Sequence, residues 1–170
     1  VWSSMSGQHV ADLRGHTDAV LNIAFVRGGS TLVSSSYDDT VRTWAARSPR
    51  DAMKLTGHTN AVYSAAASDD GRTVATTSSD GTVRFWDLLS GRGAPLGRRE
   101  TGPVYRLAFG PIKGQFALNA WDQQLEIWQL EPPKLLDQFN VQGDLVAGQI
   151  SYDGRFVLEN NNGALRVVEV

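Results

Sequence analysis

The chain has 170 residues and not one cysteine. Neither a disulfide framework nor a thiolate metal site is open to it, so packing and hydrogen bonding must hold it together. Long apolar runs are missing as well, and none approaches the ~18 residues that a membrane-spanning helix needs. No stretch near the start combines the charged, apolar and small-residue regions of a signal peptide, which sets an expectation of a cytoplasmic location and no membrane partner. An excess of charge of either sign is also lacking: 16 Lys and Arg stand against 18 Asp and Glu, a net charge of −2. So balanced a chain has no basic field to gather phosphates, which argues against nucleic acid as a partner. Long amphipathic helical patterns are absent too, which leaves extended structure.

What the chain does have is a period. Trp2, Trp44, Trp86 and Trp128 follow one another at a constant 42 residues, and Gly15-His16 and Gly57-His58 recur in the same phase. Before the last three of these tryptophans the pattern alternates, with Val41, Val83 and Leu125 apolar and Arg42, Arg84 and Glu126 charged. Such a period of two is the mark of a strand. Each unit holds four short apolar runs, the first set being 20–26, 31–35, 40–45 and 52–55, parted by turn residues such as Asp38-Asp39 and Asp80-Gly81. The expected architecture is all-β, a single array over 1–170 with units of roughly 3–44, 45–86, 87–128 and 129–168, each giving a four-stranded antiparallel sheet.

Two units carry a fuller motif: Gly15-His16, Ser34, Asp38 and Trp44, then Gly57-His58, Thr76, Asp80 and Trp86. This pattern resembles the WD40 repeat family, whose repeats build the blades of a β-propeller. The resemblance implies a structural tetrad in each unit, in which Trp44 donates to Ser34, Ser34 to His16 and His16 to Asp38, with Trp86, Thr76, His58 and Asp80 repeating the arrangement. Ser34, His16 and Asp38 also imitate a hydrolase triad. Their recurrence 42 residues later favours a structural role, as does the absence of a Gly-x-Ser-x-Gly turn, so no enzyme activity, metal or other cofactor is expected.

The pattern decays toward the C-terminus. The third unit has Glu100 and Leu118 at the His and Ser/Thr positions, and the fourth has Gln142, Leu158, Asn162 and Val168 at all four. The third and fourth sheets are therefore expected to be locally less stable than the first two. Residues 8–13 could supply the missing outer strand by pairing with 165–169 and shut a four-bladed ring, but Val1-Trp2 reads as the end of a strand, which favours four blades of a propeller with seven or eight.

The resemblance also implies where a partner binds, namely the face on which the tetrad loops gather. Carried over position by position, this face holds Leu21, Tyr37, Tyr63, Ser79, Tyr105, Trp121 and Asn161. Its aromatics suit a binding hot spot, and Trp121 is the one tryptophan out of register. Arg42, Arg84 and Arg166 are read as a solvated outer face. The expected function is a non-catalytic scaffold for a protein or peptide. Further blades of the same parent chain or a second copy are other candidate partners, and a regulatory or sensor portion of a larger signalling protein is the alternative.

Overall fold

A computed structural model describes residues 1–26, 28–46, 48–98, 102–110, 112–120, 124–140, 144–150, 156–161 and 164–169, with backbone alone at 48–52, 97–98, 120, 144–150, 157–161, 164–166 and 168. The described residues form strands and turns, without a helix. Sheet one consists of β1 (Val20–Phe25), β2 (Thr31–Ser36), β3 (Val41–Ala45) and β4 (Ser48–Leu55), hydrogen-bonded in that order. Sheet two repeats it with β5 (Val62–Ala67), β6 (Thr73–Ser78), β7 (Thr82–Asp87) and β8 (Gly93–Arg98). Sheet three comprises β9 (Val104–Phe109), β10 (Gln115–Ala120), β11 (Gln124–Gln129) and β12 (Lys134–Asn140).

The fourth sheet corrects the expectation of four four-stranded sheets. It has three strands, β13 (Asp144–Ile150), β14 (Phe156–Asn161) and β15 (Ala164–Glu169). The fourth unit supplies three extended runs, and residues 8–13 do not add a fourth: the bridge described there joins Trp2 to His9. Trp2, although in register with the others, is exposed and belongs to no sheet.

Local chemistry explains the hairpins. Between β1 and β2 the chain reverses through Gly28 and Gly29, and between β5 and β6 through Gly71, each at positive φ. The tighter β2–β3 turn needs the same conformation at Asp39, φ 63°, where the second unit has Gly81, φ 78°. Innermost strands lie side by side, β1 against β5, β5 against β9 and β9 against β13. Buried apolar residues fill the joints. Val33, Val41 and Leu55 of sheet one meet Val62, Ala65, Val74 and Trp86 of sheet two, and Ala75 and Val83 of sheet two meet Val104, Leu107, Phe116 and Leu118 of sheet three. The second joint is aromatic, with Phe85 and Phe116 rings 5.1 Å apart and Phe116 stacked on Trp128 at 6.5 Å.

Sheet one lacks such cover on one side. Ile23 is 69 % exposed and Val20 50 %, whereas the residues 42 and 84 places on, Ala65 and Leu107, and Val62 and Val104, are 4 % and 0 % exposed. The same strand position is thus buried by a preceding sheet in units two and three and open in unit one.

Candidate functional site

Two groups of side chains organise each of the first two units, one inside the sheet and one at its end. Inside, the Trp44 indole N–H reaches Ser34 Oγ at 2.9 Å, His16 Nε2 lies 2.7 Å from the same oxygen, and His16 Nδ1 lies 2.8 Å from Asp38 Oδ2. Unit two repeats this with Trp86 to Thr76 at 2.8 Å, Thr76 to His58 at 2.8 Å and His58 to Asp80 at 2.9 Å. Proton counting fixes the directions. The indole can only donate and the carboxylate only accept, so the hydroxyl donates to Nε2 and Nδ1–H donates to the carboxylate. Every donor then has one acceptor, provided the imidazole is neutral.

The electrostatics favour that state. Burial pushes the His58 imidazole below its ordinary range, outweighing the Asp80 carboxylate beside it. Burial also opposes ionisation of Asp38 and Asp80, but it loses to their donors. The Thr40 hydroxyl, the Thr17 N–H and His16 hold the Asp38 carboxyl well below the usual range. The Thr82 hydroxyl, the Thr59 N–H and His58 bring Asp80 down to about 2. Ser34 and Thr76 are buried and their oxygens engaged, so neither hydroxyl faces a substrate. Both ring nitrogens of His16 and of His58 have partners, which leaves no lone pair for a metal.

Sheet three satisfies its indole differently. Leu118 is buried where the hydroxyl would be, and Trp128 Nε1 donates instead to Glu126 Oε2 at 2.8 Å. Glu126 is two residues earlier on the same strand and so on the same face as the indole. The sequence reading missed this pair, although the i, i+2 spacing was its signal. The same geometry corrects the placement of Arg42 and Arg84 on a solvated outer face. Sharing a face with Trp44 and Trp86, they turn inward: the Arg42 guanidinium carbon is 6.0 Å from the Trp44 ring centre, and Nε of both arginines is buried. Gly15 and Gly57 make room for them, since a Cβ there would come within 2.5 Å of Arg42 Nη1 and 2.8 Å of Arg84 Nη1.

At the end of the sheets, three tyrosines form a row across three units. Tyr37 and Tyr63 rings are 6.5 Å apart edge to face, and Tyr63 and Tyr105 are 5.1 Å apart. Bulges aim two of them. The ladder skips one residue after Val20, Val62 and Val104, leaving Leu21, Tyr63 and Tyr105 as the extra residue of each innermost strand. Burial and the neighbouring Tyr63 ring raise the Tyr105 hydroxyl further above neutrality, so it stays a donor. Ser79 is anchored through its N–H to the Ala61 carbonyl at 3.0 Å, as Tyr37 is to Ala19. Asn161 ends β14 and is described by its backbone, and Trp121 lies outside the described residues.

Comparison with known proteins agrees with this geometry. Residues 7–45 and 50–87 match the family model "WD domain, G-beta repeat". Among curated proteins no sequence relative matches the chain. A solved structure described as "Structure of U3-55K" superposes with a TM-score of 0.78 at 20 % identity, over 93 % of this chain and 51 % of that one. At that identity the likeness is one of fold, and the chain spans about half the length of the structure it matches. The chain therefore carries two segments that match WD40 repeats, the same two in which indole, hydroxyl, imidazole and carboxylate join in one hydrogen-bonded line.

Proposed function

We propose that this chain is part of a β-propeller acting as a non-catalytic scaffold that binds a protein or peptide on the face bearing Tyr37, Tyr63 and Tyr105. The observation that carries the reading is the tyrosine row itself, which crosses three sheets with ring spacings of 6.5 and 5.1 Å. Flat rings with polar tips bury large area at low cost in side-chain entropy. The family pattern assigns Leu21, Ser79, Asn161 and Trp121 to the same face, with Trp121 and Tyr105 the proposed anchors. The proposed setting is the cytoplasm. Matches to WD40 repeats support the scaffold role, since such repeats generally mediate protein interactions.

The open side of β1 supports further blades, seven or eight in all. Val20, Ile23 and Phe25 form an apolar strip at 50 %, 69 % and 64 % exposure, where the equivalent strands of sheets two and three are covered. Display selection with a random peptide library tests the binding face. Peptides that bind the wild type are expected to lose most of their affinity for the Tyr37→Ala/Tyr63→Ala/Tyr105→Ala variant. Equal binding to both would refute the reading.

A further inference from the structure

The tyrosine-bearing end of the sheets also offers a comparison of units one and two, position by position. Arg42 and Arg84 share one register and the same turn of the side chain beneath a glycine. The residues in register around them differ: Asp18 and Tyr37 of unit one correspond to Asn60 and Ser79 of unit two. That exchange removes a carboxylate and a ring. Unit two has a cavity of about 360 Å3 lined by Thr59, Asn60, Ser79, Asp80, Thr82 and Arg84.

The cavity is rich in donors and short of acceptors. Asp80 is already saturated: Oδ1 accepts from the Thr82 N–H at 2.8 Å and the Thr82 hydroxyl at 2.6 Å, and Oδ2 from the Thr59 N–H at 3.0 Å and from His58 at 2.9 Å. Asn60 Oδ1 accepts from the Ala61 N–H at 2.8 Å, which leaves its amide NH2 as a donor. Arg84 Nε is buried and has no hydrogen-bond partner, and none of the described ion pairs includes its guanidinium; the same holds for Arg42, so what sets unit two apart is the cavity that Arg84 lines. A buried N–H without an acceptor is costly, and one oxyanion would relieve it.

We propose that this cavity is a carboxylate-binding subsite, in which Arg84 grips an acidic side chain of a bound peptide while the Asn60 amide and the Thr59 hydroxyl complete its shell. The source of the carboxylate rests on the peptide-binding reading above; the cavity chemistry does not. A planar carboxylate matches the guanidinium fork. A phosphate dianion fits less well, because the ionised Asp80 lies in the same wall with a single cation to balance it. The cavity belongs to the binding face by register: Ser79 is the counterpart of Tyr37, whose ring reaches Tyr63 in the next unit.

The test follows the arginine Nε–Hε signals of the full chain by NMR during titration with acetate and, separately, with inorganic phosphate at constant ionic strength. Acetate is expected to move the Arg84 signal to saturation, to leave Arg42 in place, and to act at lower concentration than phosphate. Ser79→Tyr, which installs the unit-one residue, is expected to abolish the shift, and Arg84→Lys to weaken acetate binding about tenfold. An unmoved Arg84 signal, parallel movement of Arg42, or tighter binding of phosphate would overturn the assignment. Peptides selected on the tyrosine face separate the two proposals. Replacing their Asp or Glu by Ala is expected to cost about tenfold on the wild type and little on Ser79→Tyr. Failure to select any peptide, with the acetate shift intact, would sink the peptide reading and leave the cavity standing.

Discussion

Sheets two and three have the same four-stranded meander and nearly the same outline, yet they satisfy their buried tryptophan by different means. In sheet two the Trp86 indole opens a line of four residues through Thr76 and His58 to Asp80, reaching from β7 back to the segment before β5. In sheet three the Trp128 indole donates to Glu126 on its own strand, and the space beside it is filled by Leu118, Phe116 and the neighbouring Phe85. The fold requires that the indole N–H find an acceptor, and it does not require one particular acceptor. What the exchange alters is reach. The line in sheet two ties a connecting segment to the sheet, whereas the pair in sheet three ties a strand to itself.

That contrast can be broken hardest at Gly93. It lies opposite Trp86 on β8, and a Cβ there would sit 2.5 Å from indole Cζ3 and 2.8 Å from Cδ2. Gly93→Val is expected to expel the ring from its pocket and cost ~3 kcal/mol in urea unfolding. Leu135→Ala, opposite Trp128 on the half-exposed outer strand, is expected to cost no more than ~1 kcal/mol.

Next in size is the loss of an acceptor. Thr76→Val keeps the shape but strands both the indole N–H and His58, for an expected ~2–3 kcal/mol. Glu126→Gln, which retains an acceptor oxygen, is expected to cost less than Glu126→Leu, and hydrogen exchange in β11 should report the difference. Uniform exchange protection across β6, β7, β10 and β11 would remove the expected gap in local stability between the sheets.

A smaller effect is set by pH. His58 titrates lower in the folded chain than its ordinary 6.5, so its contribution is complete above that value and falls as the unfolded state takes up protons below it. Asp38 and Asp80 act later: their contributions hold above the ordinary carboxylate value of 3.8 and, for Asp80, disappear as pH falls through about 2. Urea midpoints measured from pH 8 to pH 4 should therefore begin to decline below about 6.5. His58→Gln should flatten that first step. The smallest effect is expected at Asp39, held at φ 63° where unit two has glycine. Asp39→Gly should change stability by no more than about 0.5 kcal/mol, seen as a small shift in Tm, because relieved strain and added chain entropy nearly cancel.

The strands were legible because their signals are local. Alternation, turn residues and the recurring tryptophan placed the first three runs within a residue of β1, β2 and β3, and the fourth inside β4. The pairing of Trp44 with Ser34 and His16 was legible through the family pattern. Less visible were facts that depend on which side of a strand meets which neighbour. Arg42 alternates with apolar residues as a solvated residue would, but the face it occupies is the one shared with Trp44. The bulges at Tyr63 and Tyr105 leave no mark in composition, yet they turn those rings toward the row. The exposure of Ile23 became apparent only beside the burial of Ala65 and Leu107.

The line from His16 to Trp44 closes entirely within the first 44 residues, and that from His58 to Trp86 adds nothing beyond residue 86. A chain leaving the ribosome can fasten the first three strands of each of these sheets as soon as its own tryptophan emerges, before the following unit has been translated. Among the described residues sheet three closes its indole within β11 alone, so nothing comparable reaches back to fasten the segment before it.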